Sequence, residues 1–212
     1  MSHRLALPTV AVLALAGLTQ QAFAATQVVL DQGHVDVIGI AFEDGAFNVH
    51  VHDEGTDTEY APSEVQLVAK SGSKTSVPED PAYRFLGSSG APVWVLPQVE
   101  DPALLWPGIA SEEILPGVFA GESLKVDIVG VTGPAGVSLF TTDAFGAPTV
   151  LADSGDGLPD RISTTAGGHL HANWAFEAAG TYKIKVRVSG TLAATGEKVT
   201  SAIATYCFKV AA

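Results

Sequence analysis

Residues 167–182, GGHLHANWAFEAAGTY, alternate apolar and polar side chains with a period of two, which fits a strand and not a helix. Leu170, Ala172, Trp174 and Phe176 fall on one side of such a strand, and His169, His171 and Asn173 on the other. One side is therefore core, and the other presents two imidazoles. Side chains two apart on a strand project in parallel at roughly 6.6 Å, which lets a single ion sit about 2.1 Å from each nitrogen.

The arrangement recurs. In residues 47–53, FNVHVHD, the apolar Phe47, Val49 and Val51 oppose Asn48, His50 and His52. Of the six histidines, only His3 and His34 lie outside the two His-x-His pairs. Random placement of so few histidines over this length gives on the order of 0.1 such pairs, so two disjoint pairs point to metal ligation. His50, His52, His169 and His171 are the core candidate ligands.

The first hairpin fixes where one pair points. Asp44-Gly45 is a two-residue turn that pairs Phe42 with Phe47, Ile40 with Val49 and Ile38 with Val51. All six then share a face, and His50 and His52 point away from it. In this register His34 and Asp36 lie on the apolar side near Asp53, and a bulge or strand end would be needed to swing His34 toward the site as a fifth ligand. If both histidine strands belong to one sheet, the four imidazoles can converge on its outer face around a single cation.

Elsewhere glycine (22) and proline (12) punctuate short β-branched runs, and no long helical period appears. The pattern predicts an all-β, immunoglobulin-like antiparallel sandwich. Strands are expected at 26–31, 34–42, 46–53, 64–69, 92–96, 122–131, 136–142, 168–177, 180–190 and 198–210. Residues 98–119, with Pro102, Pro107 and Pro116, read instead as a proline-rich excursion capping one end. Ala179-Gly180-Thr181-Tyr182 resembles the strand entry of a tyrosine corner. The acidic stretch 153–160, DSGDGLPD, is too poor in oxygen ligands for a calcium loop and reads as a turn bounded by Asp153 and Asp160.

Residues 1–24 have the plan of a signal peptide: a basic start at His3 and Arg4, an apolar run from Leu5 to Leu18, and Ala22-Phe23-Ala24 before the cut. Residues 25–212 are then a single exported β-sandwich domain, periplasmic or at the cell surface, with no membrane span. Cys207 has no partner for a disulfide and reads as a small buried hydrophobe. The formal charge of −12, which falls one unit further when Arg4 leaves with the leader, disfavours nucleic acid and anionic membranes and favours cations.

Five segments together resemble the actinobacterial surface-anchored protein domain, also called the choice-of-anchor M domain. They are GHVDV at 33–37, VWVLPQ at 93–98, LLWPGIASEEI at 104–114, DSGDGLPD at 153–160 and GHLHANWAFEAAGTY at 168–182. The resemblance implies a cell-surface setting beside substrate-binding proteins of metal-type ABC transporters. It also places His34, Asp36, His169, His171, Asn173 and Trp174 in the family motif. Sortase signal, membrane tail and second copy are missing here, in departure from the family.

These readings converge on a non-catalytic exported protein that binds zinc or copper, as a scavenger or a relay to a metal transporter. Asp36, Asp53, Asn173 and Trp174 are supporting candidates, with Asn173 expected to orient an imidazole. An adhesive surface module is the alternative. A sandwich metalloenzyme resembling superoxide dismutase is a further one, disfavoured because no HExxH, Gly-x-Ser-x-Gly or nucleophile–base pair is present.

Overall fold

The computed structural model describes residues 27–212, so the leader read over residues 1–24 lies outside the described residues. The chain is all-β and sandwich-like. Its largest sheet orders seven strands as Val28–Leu30, Val65–Ala69, Ala204–Val210, Gly180–Leu192, Phe119–Thr132 and Asp160–Thr165, with Lys198–Thr200 added against Gly180–Leu192. A second, five-stranded sheet runs Pro148–Asp153, Val137–Thr142, Asn173–Phe176, Pro92–Leu96 and Lys74–Ser76. The third, called the histidine sheet below, runs His169–His171, Leu105–Ala110, Gly33–Glu43, Ala46–Asp53 and Thr58–Tyr60.

Both five-stranded sheets pack on the large one. Trp174 and Phe176 of the second sheet meet Phe208 at ring separations of 5.4 and 5.2 Å, and Phe42 of the histidine sheet meets Phe119 at 5.1 Å. One continuous core joins all three, including Val35, Ile38, Trp174, Tyr182, Val186 and Phe208. Apolar burial of this extent is the main force holding the sheets together. The Tyr182 hydroxyl donates to the Ala178 carbonyl at 2.8 Å and accepts from the Ala178 amide, which closes the tyrosine corner expected at this strand entry.

Several features depart from the sequence reading. Two of the sheets are mixed, since Val65–Ala69 runs parallel to both its neighbours and Gly33–Glu43 runs parallel to Leu105–Ala110, while the second sheet is antiparallel throughout. The stretch 98–119 is no cap: its middle, Leu105–Ala110, is an inner strand of the histidine sheet. Pro107 is tolerated there because it sits just past the last pair of the ladder with His169–His171, where no strand partner requires its missing N–H. Finally, Cys207 is half-buried, on the face of its strand opposite the core residues Tyr206 and Phe208.

The strand expected over 168–177 divides at Ala172. His169–His171 pairs with Leu105–Ala110 in the histidine sheet, and Asn173–Phe176 pairs with Pro92–Leu96 and Val137–Thr142 in the second. One short segment thus supplies imidazoles to one sheet and Trp174 and Phe176 to the core beneath another. No helix among the described residues is long and apolar enough to cross a membrane.

Candidate metal centre

A bulge builds the site. Asp44 and Gly45 both have positive φ, 50° and 81°, as the tight turn demands, and pairing follows the expected register from Glu43–Ala46 to Gly39–His50. It then slips, so that Asp36 faces His52 and two residues, Val37 and Ile38, oppose Val51. Both Val37 and Ile38 are buried in the core. The extra residue reverses the facing of everything before it, which turns Asp36 and His34 off the apolar side and onto the histidine face. The uninterrupted pairing of Ile38 with Val51 is corrected accordingly.

Sheet order does the rest. Leu105–Ala110 lies between the His34 strand and the His169–His171 edge strand, with His34 beside Trp106 and His171 beside Gly108. His34 Nε2 and His169 Nε2 are 3.2 Å apart, and Asp36 Oδ1 is 3.3 Å from the first and 2.8 Å from the second. Two ligands about 2.05 Å from a tetrahedral ion are separated by roughly 3.3 Å, so the three atoms have the spacing of a shared coordination sphere. His171 completes the group, with its donor atom and those of His34 and His169 all within 4.8 Å of one another.

Asp36 Oδ1 tests the fit of an ion. The Asp36 side chain is 3% exposed, and Oδ1 accepts no hydrogen bond among the described residues, because the nearby ring nitrogens are not aligned to donate to it. An unsatisfied buried carboxylate oxygen is costly unless a cation compensates it. Space is reserved for the contact by Gly108, where a Cβ would overlap Asp36 Oδ1 and come within 2.8 Å of His169 Nε2.

The rings are held with Nε2 inward. His171 donates Nδ1–H to the Pro107 carbonyl at 3.0 Å, leaving Nε2 as its free lone pair, and the ring stacks on Trp106 at 3.7 Å and 8°. His169 Nδ1 lies 3.2 Å from Glu112 Oε2 on its far side. Ser111, buried, receives the Gly167 amide and donates its hydroxyl to the carbonyls of Thr165 and Gly168, which fixes the turn that launches His169. His169 is on an edge strand, and its side chain is 21% exposed, so an ion there would be reachable from solvent.

Electrostatics follow from this packing. Burial pulls the His171 imidazole down to about 4, against the Pro107 hydrogen bond and with His169 and His34 adding to the shift. It is therefore unprotonated at neutral pH, as a ligand must be. Burial pushes the Asp36 carboxyl above the usual range; His169 and His34 oppose the shift and Glu54 reinforces it.

The other candidates are distributed differently. Among the described residues, no potential metal group combines histidines of the two His-x-His pairs. His52 groups with Asp36 and Glu54, and His50 with Glu59 and Glu113. The single four-imidazole clamp is thus replaced by neighbouring clusters, because two intervening strands separate His50 and His52 from the edge strand. His52 is bracketed by carboxylates, with Nε2 3.2 Å from Asp57 and Nδ1 3.1 Å from Glu54. Burial would lower its pKa, but Asp57, Glu54 and Asp36 outweigh it and raise the value.

Asp53 caps its own turn, accepting from the Gly55 amide and the Thr56 hydroxyl. Asn173 orients no imidazole: its Oδ1 accepts from the Gln98 amide at 2.9 Å, while the Gln98 carbonyl accepts Trp106 Nε1–H. Its effect on the site is indirect, through the indole that stacks on His171. Trp174 is fully buried core, and Trp106 is the tryptophan of the site. In the acidic stretch, Asp160 accepts the Asp153 amide and Asp153 the Gly155 amide, as in a turn.

The sequence does not assign Trp106, Gly108, Glu112 and Glu113 to the site, because their proline-rich segment reads as a cap. The signal available was the short apolar run of Leu105 to Ala110 ahead of paired glutamates. Three groupings of His34, Asp36, His169 and their neighbours could hold a metal ion. No family model, curated protein or solved structure matches the chain.

Proposed function

We propose that this protein is an exported, non-catalytic binder of a transition-metal cation, held by Nε2 of His34, His169 and His171 and by Asp36 Oδ1. The observation that carries the proposal is the buried Asp36 oxygen, without a hydrogen bond and within 2.8 and 3.3 Å of two imidazole nitrogens. Three imidazoles and one carboxylate suit zinc, with copper(II) next, and the lack of thiolate or thioether ligands disfavours copper(I). Four protein ligands fill a tetrahedral sphere and leave no open position for substrate, which favours storage or transfer over catalysis. Among the described residues no strand pairs with the outer edge of His169–His171, which would let a receiving protein approach there, in keeping with the implied relay to a metal ABC transporter.

Equilibrium dialysis of untagged protein against zinc and against copper tests this reading. One ion retained at this site by the wild type, and lost from it in the His169→Ala/His171→Ala double variant, is the expected result. Retention of neither metal by the wild type would end the proposal.

A further inference from the structure

The other histidine pair points to a separate site. His50 is 3% exposed, and neither of its ring nitrogens has a hydrogen-bond partner among the described residues. A buried imidazole with both nitrogens unsatisfied carries a desolvation cost that a hydrogen bond or an ion would offset. Its Nε2 does approach Glu113 Oε1 at 3.1 Å, but out of line for N–H donation. Two donors that meet at that distance and off axis are placed as neighbouring ligands of one ion.

Glu59, on the adjacent strand Thr58–Tyr60, brings a third donor, and the ligand atoms of His50, Glu59 and Glu113 all lie within 4.8 Å of one another. The ring's position is allowed by Gly39, where a Cβ would come within 2.5 Å of His50 Nε2. A pocket of about 390 Å³ opens over these residues, and at ~30 Å³ per water it has room for solvent ligands.

We propose that His50, Glu59 and Glu113 form a second divalent-cation site, distinct from the His34–Asp36–His169–His171 centre and occupied independently of it. Two carboxylates balance a dication, and one nitrogen with two oxygens and water makes a harder donor set than the first centre offers. The site therefore takes manganese or zinc with open, partly aquated coordination and exchanges it faster than the first. Adjacent glutamates serve the two centres, since Glu112 flanks His169 and Glu113 flanks His50.

The test is titration of the untagged full chain with Zn²⁺, followed by metal analysis, and with Mn²⁺, followed by the electron paramagnetic resonance signal of the free ion. Glu59→Gln/Glu113→Gln keeps size and polarity at two exposed positions, and circular dichroism checks its fold. Wild type should saturate at two Zn²⁺ and the glutamine variant at one, with Mn²⁺ affinity reduced at least tenfold. The His169→Ala/His171→Ala variant should keep the Mn²⁺ site unchanged. Equal stoichiometry and equal Mn²⁺ affinity in wild type and the glutamine variant would overturn the second site and leave the first standing. A single ion that is lost in the glutamine variant and retained in the histidine variant would support the second site and remove the first.

Discussion

Two aspartates, each buried at a sheet surface, are treated in opposite ways by the fold. Asp127, 4% exposed on the large sheet, accepts a two-pronged hydrogen bond from Arg161, at 2.7 Å to Nε and 2.9 Å to Nη2, with Arg187 at 3.9 Å. The Arg161 hydrogen bond holds its carboxyl below the usual range. Asp36, 2% exposed on the histidine sheet, has no such partner, and burial drives its carboxyl the other way. Asp127 is compensated by a cation the chain itself provides. Among the described residues Asp36 faces imidazoles and the carboxylates of Glu54 and Glu112, and the compensation it lacks is of the kind an external cation supplies.

Asp36→Asn breaks the comparison most sharply. It should weaken zinc binding at least 100-fold, about 2.7 kcal/mol, by competition with a chelating dye. The metal-free variant should unfold in urea at a midpoint no lower than that of the metal-free wild type, because no partnered charge is lost.

Asp127→Asn should do the reverse, with metal binding unchanged and stability reduced by about 2 kcal/mol in urea. The pH dependence has a defined sign. An acid whose folded pKa is depressed contributes stability that is present above its unfolded value near 3.8 and lost as pH falls through the lower folded value. Urea titrations between roughly pH 2 and 6 should therefore show a shallower acid limb in Asp127→Asn than in wild type.

Gly108→Ala sharpens the contrast from the backbone side. A methyl placed against Asp36 Oδ1 should cost at least tenfold in zinc affinity, about 1.4 kcal/mol, while an alanine at exposed Gly55 should leave affinity unchanged. Dye competition on the two variants gives the answer directly.

The smallest effect belongs to His52, which is compensated by carboxylates instead of guanidinium. Its raised pKa means that its stabilisation is present below the unfolded value near 6.5 and lost as pH rises through the higher folded value. Solvent screening limits this to about 0.3 kcal/mol. The wild-type advantage over His52→Gln in urea should be measurable near pH 5.5 and vanish near pH 8.5.

Much of this was legible along the chain. Alternation located the strands at 46–53 and 92–96 to the residue, and the Asp44-Gly45 turn gave the register as far as His50. Illegible were the strand through Pro107, the short polar strands at 58–60, 74–76 and 160–165, and the strand at 148–153, whose consecutive Val150, Leu151 and Ala152 do not alternate. A bulge turning His34 toward the site was foreseeable, but its position at Val37-Ile38 was hidden, since two adjacent apolar residues fit either face until a neighbouring strand selects one.

By itself the sequence determined which side chains share a face within each strand, because that depends only on the two-residue pleat of the local backbone. Only the tertiary structure decided which faces meet. Strand order set Leu105–Ala110 between His34 and the edge strand, and one extra residue in Gly33–Glu43 turned His34 and Asp36 outward. Both outcomes depend on Leu105–Ala110, whose ladder partners lie far from it along the chain, where local periodicity carries no information.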